Sequence, residues 1–306
     1  KNKGRGEEKR IEVFAPAKVN LSLEVLGRRD DGYHELRSLA VSVSLRDRLK
    51  IRWRRLDPKT PGIDSSLHVT FTPGPRFPRS GRSLGQEVFS GDGHSLASAW
   101  RWWKRHRGEI PGLWDVEVEK NIPLAAGLGG GTADAAAFLK VLAGWLRGSL
   151  PSGDFVEELG SDLAFCLHGG PGWILGRGER VELAELRDPP ALCLLKPPGE
   201  MASKDAYAAL GVGPRGSEKN RPPSSGLISL EDVWEKGVSP FWAPAVESHP
   251  VLVSLARDLR AREAQHVSLT GSGPTIFGVF PSLSEAKRVA RFFRGRGNWS
   301  YAVSVF

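Results

Sequence analysis

A chain of 306 residues with 40% hydrophobic and 25% charged residues is long enough to bury a large core, and its composition excludes wholesale disorder. The net charge of +8 and a pI near 9.6 suit nucleic acid, an anionic surface or a polyphosphate substrate equally, so charge selects no function. Cys166 and Cys193 are the only cysteines; without C-x-x-C spacing or clustered histidines, zinc-finger and disulfide-scaffold classes are excluded.

In chain order, Ile11 to Val25 reads as two strands broken at Pro16, because proline lacks the N–H a ladder needs. The turn formers of Gly27 to His34 follow. Leu36 to Leu49 then alternates as a strand that continues through Ile51 to Trp53. Asp57 to Gly93 is a Pro, Gly, Ser and Arg-rich excursion with one strand, Leu67 to Phe71. Ser95 to Arg107 has helical spacing, and Trp100 and Trp103 at i and i+3 read as core contacts rather than a base-stacking platform. A strand at Val116 to Val118 feeds a glycine loop, and Thr132 to Leu146 is a helix.

Phe155 to Leu159 and Ser161 to Leu167 are helical, stopping at Gly169-Gly170. Strands Trp173 to Leu175 and Val181 to Leu183 flank the turn Gly176-Arg-Gly178. A boundary near Arg187-Asp-Pro-Pro190 divides the chain into domains 1–187 and 188–306. The second begins with a strand, Ala191 to Leu195, a short helix, Ser203 to Leu210, and a Pro/Gly/Ser-rich loop, Gly211 to Gly226. Helices at Glu231 to Trp234 and Val251 to Arg262 follow, then strand, glycine turn and strand over Val267 to Phe280. The last helix, Ser284 to Phe293, is capped by Ser282 or Ser284, and Ala302 to Phe306 is the closing strand. Residues 1–10 lack an apolar signal region and no stretch reaches the ~18 apolar residues of a membrane span, so the expectation is a cytoplasmic protein of α/β or α+β class with no membrane partner.

The most informative segment is Lys120-Asn-Ile-Pro-Leu-Ala-Ala-Gly-Leu-Gly-Gly-Gly-Thr-Ala-Asp-Ala-Ala-Ala137. Glycines at 127, 129, 130 and 131 open directly into a helix, whose first free N–H groups make an anion site suited to phosphate. No Gly-Lys-Ser/Thr follows, so it is not a Walker A loop; the spacing is wrong for a dinucleotide fingerprint, and the protein-kinase signatures are absent. The alternative is a glycine-rich helix start that only packs tightly.

Four segments in order, Pro16-Ala-Lys-Val-Asn20, Asp31-Gly-Tyr-His-Glu35, the glycine loop and Leu269-Thr-Gly-Ser-Gly273, together resemble the GHMP small-molecule kinases. The first two are most similar to members whose acceptor carries a cytidine diphosphate group. The resemblance implies an α+β fold with an N-terminal ribosomal-protein-S5-domain-2-like domain and a C-terminal ferredoxin-like domain. It also implies ATP-dependent phosphorylation of the 2-hydroxyl of such an acceptor, with Mg2+, in non-mevalonate isoprenoid biosynthesis. By motif position, Lys18 and Asp162 are the catalytic pair, Asp162 taking the hydroxyl proton. Lys120, Pro123, Ala126, Gly127, Leu128, Gly129, Gly130, Gly131, Thr132 and Ala133 line the nucleotide, with Thr132 the best candidate near magnesium. Asn20, Tyr33, His34, Tyr207, Gly271, Ser272 and Gly273 hold the acceptor, the tyrosines stacking on cytosine and His34 hydrogen-bonding it.

Alone, Asp162 reads as a helix N-cap or first-turn carboxylate, and Lys18 as an exposed lysine. The chain departs from the family pattern at Ala133, where a second Ser is usual, at Ala164 in place of Pro, at His94 in place of an adenine-side Asn, and at Ser239-Pro240 in place of Asn-Asp. Alternatives are a sister kinase of homoserine or mevalonate type, an RNA-binding protein and a non-catalytic nucleotide-binding relative; no nucleic-acid partner is expected, and the assembly is a monomer or weak homodimer.

Overall fold

A first strand, β1 (Glu8–Asn20), runs unbroken through Pro16, against the expectation of two strands. Its ladder slips there instead. Pro16 faces Arg46 on the next long strand, whereas Lys18 faces Ser42, so the register changes across the residue that cannot donate. After the slip, the Lys18 N–H donates to the Leu128 carbonyl at 3.0 Å, tying β1 to the glycine loop. This computed structural model describes residues 7–56, 65–78, 94–152, 155–201, 203–213, 220–222, 227–234 and 239–306. Most of the 57–93 excursion and parts of 211–245 therefore lie outside the described residues.

Strand β2 (Glu24–Arg28) and the 21-residue β3 (His34–Arg54) enclose the expected turn. There follow β4 (Ser66–Pro73), α1 (Ser95–Arg107), β5 (Leu113–Lys120), α2 (Gly130–Leu146), α3 (Val156–Leu159), α4 (Leu163–His168), β6 (Pro171–Gly176) and β7 (Arg180–Leu183). The sheet runs β4-β5-β3-β6-β7, with β1 and β2 also paired to β3. On its inner face Leu49, Ile51, Trp53, Trp114, Val116 and Val118 pack under α1 and α2. The opposite face follows from the two-residue period of a strand, which brings up Arg48, Lys50, Arg52 and Arg54. These bases pair with Glu119, Glu117, Glu8 and Asp115, so the arginine excess on this face is neutralised across strands. Arg79 and Arg82 lie outside the described residues.

The remaining elements are β8 (Glu185–Leu186), β9 (Ala191–Lys196), α5 (Ser203–Ala209), β10 (Leu227–Ile228), α6 (Leu230–Trp234), α7 (Trp242–Ser248), α8 (Val251–Arg260), β11 (His266–Leu269), β12 (Ile276–Phe280), α9 (Leu283–Gly295) and β13 (Trp299–Ser304). The antiparallel sheet β11-β12-β9-β13 has the ferredoxin-like strand order, and its inner strand β9 is buried at every residue. Ser282, not Ser284, caps α9, its Oγ accepting from the Glu285 N–H. The sequence reading missed α7, whose short apolar pattern is interrupted by Pro244 in its first turn. The two sheets share a core: Ala17, Val19, Leu39, Val41, Ile122 and Leu128 of the first unit pack with Leu192, Leu194, Phe277 and Val303 of the second. Val43 also bridges Val305.

The tryptophans of α1 are core contacts. Trp102 and Trp103 are buried, and the half-buried Trp100 stacks on Phe138 at 6.5 Å. A Cβ at Gly148 would lie 2.6 Å from Trp103 Cζ2, so little space remains around that ring. Trp103→Ala is expected to destabilise the fold by about 3–5 kcal/mol, and Trp100→Ala by clearly less, in urea unfolding followed by circular dichroism.

Candidate active site

Strand β5 delivers the glycine loop, and a buried charge cluster fixes where it starts. Asp47 on β3 accepts the N–H groups of Asn121 and Ile122, the latter at 2.8 Å, where the chain leaves β5. Lys120 Nζ donates to Asp47 and, at 2.6 Å, to Asp134 in the first turns of α2. Burial pushes the Asp134 carboxyl up; Lys120 opposes the shift and the neighbouring Asp47 adds to it. Burial alone lowers the Lys120 ammonium, but the charges of Asp134 and Asp47 outweigh it and raise its pKa. Lys120 was expected to face the nucleotide; instead its amine lies beneath the loop between two carboxylates.

The loop needs its glycines for two reasons. Gly127 and Gly129 have φ of 72° and 67°, the left-handed region. A Cβ at Gly127 would lie 2.3 Å from the Thr270 carbonyl oxygen, one at Gly129 2.9 Å from Lys18 Cγ, and one at Gly130 2.8 Å from Ile122 Cγ2. Packing thus accounts for three of the glycines, while Gly131 is exposed. Pro123, Ala126, Leu128 and Ala133 turn their side chains into the interior, leaving backbone and the half-buried Thr132 to meet a ligand.

Lys18 is 5% exposed, which rules out an ordinary surface lysine. Its Nζ lies 3.1 Å from Asp162 Oδ1 and donates to Asn20 Oδ1 at 2.6 Å. Asp162 occupies the N-cap position of α4, yet its carboxylate makes no capping hydrogen bond. It faces Lys18 instead. Asn20 is buried as well: its Oδ1 also accepts from Gly271 N–H at 2.9 Å, and its Nδ2 donates to Ser38 Oγ at 2.7 Å. Gly271 and Gly273 have φ of 58° and 94° and form, with the buried Ser272, a second glycine loop against the first. His94 caps α1, its Nδ1 accepting from Ala97 N–H at 3.1 Å.

Beside Asp162 opens a cavity of about 660 Å³ lined by Tyr33 in the turn before β3, His34 at the start of β3 and Tyr207 on α5. His34 stacks on Tyr207 with ring centroids 4.9 Å apart. Burial, and secondarily Arg28, lowers the His34 pKa, which favours the uncharged imidazole. Burial, with the Asp162 charge second, raises the Tyr207 hydroxyl. The sequence reading missed Arg28, Arg177, Lys204 and Ser161, which also line the cavity. Arg177 lies over the Tyr33 ring at 4.8 Å, and its tight turn was visible only as two glycines around an arginine. A Cβ at Gly178 would lie 2.2 Å from the Ser161 carbonyl oxygen, so that turn is pressed onto the segment bearing Asp162. Among the described residues there is no group of three or more His, Cys, Asp or Glu able to hold a metal ion, and no helix long and apolar enough to cross a membrane.

A glycine loop opening into a helix, a buried lysine in contact with a part-exposed aspartate and an adjoining pocket are the arrangement of a small-molecule kinase. The descriptions "GHMP kinases N terminal domain" and "GHMP kinases C terminal" match residues 95–172 and 234–298. A 4-diphosphocytidyl-2-C-methyl-D-erythritol kinase of Pelotomaculum thermopropionicum is 33% identical over 93% of this chain and 94% of its own length. One from Anaeromyxobacter sp. (strain K) is 35% identical over 94% and 86%. A crystal structure of 4-(cytidine 5'-diphospho)-2C-methyl-D-erythritol kinase superposes with a TM-score of 0.67 at 30% identity, covering 96% of this chain and 99% of that one. The chain belongs to the 4-diphosphocytidyl-2-C-methyl-D-erythritol kinase family of GHMP kinases. A homoserine kinase from Cytophaga hutchinsonii, with a TM-score of 0.56 at 18% identity, covering 96% of this chain and 94% of that one, shares the fold.

Removing the amine beneath the loop exposes the role of the charge cluster. Lys120→Met leaves two carboxylates buried together and is expected to destabilise the protein by about 3–5 kcal/mol in chemical denaturation.

Proposed function

We propose that this protein transfers the γ-phosphoryl group of ATP to the 2-hydroxyl of 4-diphosphocytidyl-2-C-methyl-D-erythritol, giving the 2-phosphate and ADP. The observation that carries the reading is the Lys18–Asp162 contact at 3.1 Å, made between the glycine loop and the aromatic pocket. Phosphoryl transfer through a loose transition state depends on positioning and charge neutralisation more than on covalent chemistry by the protein. Asp162 accepts the acceptor's hydroxyl proton as the new O–P bond forms. The bond from the γ-phosphorus to the β–γ bridging oxygen breaks, and ADP leaves with that electron pair. Lys18 holds the hydroxyl oxygen and offsets developing negative charge, while Asn20 and Asp162 fix the ammonium. Loop N–H groups and the start of α2 receive the phosphates.

Tyr33 and Tyr207 offer ring faces for cytosine, and an uncharged His34 offers it a hydrogen bond. Arg28, Arg177 and Lys204 give the pocket positive charge suited to the substrate's diphosphate. Magnesium bound with ATP would neutralise charge on the β and γ phosphates, and Thr132 Oγ1 is the loop hydroxyl that would meet it. Homoserine and mevalonate kinases act on alcohols without a base, so an aromatic pocket beside Asp162 favours the nucleotide-bearing acceptor over theirs. Cross-strand pairing of the β3 bases disfavours RNA binding. We expect a monomer or weak homodimer working in the cytoplasm.

The test is ADP release with Mg-ATP and each of 4-diphosphocytidyl-2-C-methyl-D-erythritol, mevalonate and homoserine. Turnover is expected with the first alone, reduced about 10²–10⁴-fold in Asp162→Asn. Equal turnover with another acceptor, or an active Asp162→Asn variant, contradicts the reading.

A further inference from the structure

Two glycine loops far apart in sequence meet backbone to backbone at this site, and the side chain of Thr270, at the start of the second, links the first to β1. Thr270 is fully buried, so it reaches neither ATP nor acceptor. Its Oγ1 accepts the Asn20 N–H at 3.0 Å and donates to the Gly127 carbonyl at 3.2 Å. The hydroxyl's one proton therefore goes to the glycine loop, and one lone pair goes to the strand that carries Lys18. The next residue continues the link: Gly271 N–H donates to the Asn20 Oδ1 that also receives Lys18 Nζ. Around this hydroxyl there is little room to shift, since a Cβ at Gly127 would lie 2.3 Å from the Thr270 carbonyl oxygen and one at Gly271 3.1 Å from the Gly127 oxygen.

We propose that Thr270 is a positioning residue for phosphoryl transfer, its hydroxyl setting the distance between the phosphate-receiving loop and the Asn20–Lys18 pair. The inference rests on the reading that the loop receives ATP and that Lys18 meets the acceptor hydroxyl. A buried hydroxyl that only filled space is replaceable by a methyl group of the same shape. A hydroxyl that holds two elements in register is not, because its loss leaves the buried Asn20 N–H and the part-buried Gly127 carbonyl without this partner and frees the loop to move relative to Lys18. A displacement near one ångström suffices to slow a positioned reaction about a hundredfold.

The experiment compares Thr270→Val, Thr270→Ala and Thr270→Ser with the wild type, beside Lys18→Met and Asp162→Asn, reading kcat, both KM values and melting temperature per folded enzyme. Thr270→Val and Thr270→Ala are expected to lose about tenfold to a hundredfold in kcat and to raise KM for ATP, while KM for the cytidyl acceptor stays within about twofold. Thr270→Ser keeps the hydroxyl and is expected to stay within about threefold of wild type. Wild-type kcat and KM in both hydroxyl-free variants, even with a lowered melting temperature, overturn the inference, as does a Thr270→Ser variant as slow as Thr270→Val. If Lys18→Met and Asp162→Asn remain active, the site reading itself falls and takes this inference with it; if they are inactive while Thr270→Val is not, only the inference falls.

Discussion

The constraint on which the rest of the structure depends is the close approach of two backbones, at Gly127 and at Thr270 to Gly273. No side chain fits between them, since a Cβ at Gly127 would sit 2.3 Å from a carbonyl oxygen. Residues far apart in the sequence are brought together because the two sheets share one apolar core, with Val19, Ile122 and Leu128 packed against Leu192 and Phe277. Burial of this much apolar surface is what holds a polar site in a fixed geometry. The register slip at Pro16 belongs to the same arrangement, because it releases the Lys18 N–H from the ladder and turns it to Leu128.

Two buried lysines do different work a few residues apart in space. Lys120 is buried, its amine held by Asp47 and Asp134, and it fixes the end of β5 to the start of α2. Lys18 has one carboxylate, and that carboxylate is itself nearly one-third exposed, so the pair opens towards solvent and substrate. A buried ion pair contributes little net stability, but removing one member leaves the other uncompensated. Such pairs therefore fix geometry more than they add stability, and both here bracket the same loop.

Much of this was legible in the sequence where local chemistry dictates structure. The helix at Ser95–Arg107 agrees to the residue, and the glycine loop was visible from its composition. Lys18 and Asp162, the pair that the motif resemblance names, lie 3.1 Å apart, though nothing in their local sequence distinguishes a buried lysine facing a part-exposed carboxylate from a surface lysine and a helix cap. Pro16 misled because a proline at a register slip reads like a proline that ends a strand. Of the two partners of Lys120, Asp47 was invisible because it lies 73 residues away and its burial is a property of the folded sheet. Arg177 and Thr270 were passed over for a related reason: one reads as a turn residue and the other as a strand end, and only their tertiary contacts give them a place in the site.

The central claim concerns which hydroxyl receives the phosphate. In 2-C-methyl-D-erythritol the carbon bearing the 2-hydroxyl carries a methyl group and no hydrogen, so a phosphate placed there has no three-bond coupling to a proton. Proton-coupled phosphorus NMR of the product formed from 4-diphosphocytidyl-2-C-methyl-D-erythritol and Mg-ATP reads this directly. The account predicts a new phosphomonoester resonance unsplit by such coupling, beside those of ADP and the retained diphosphate. A doublet or triplet would place the phosphate on a secondary or primary hydroxyl and contradict it.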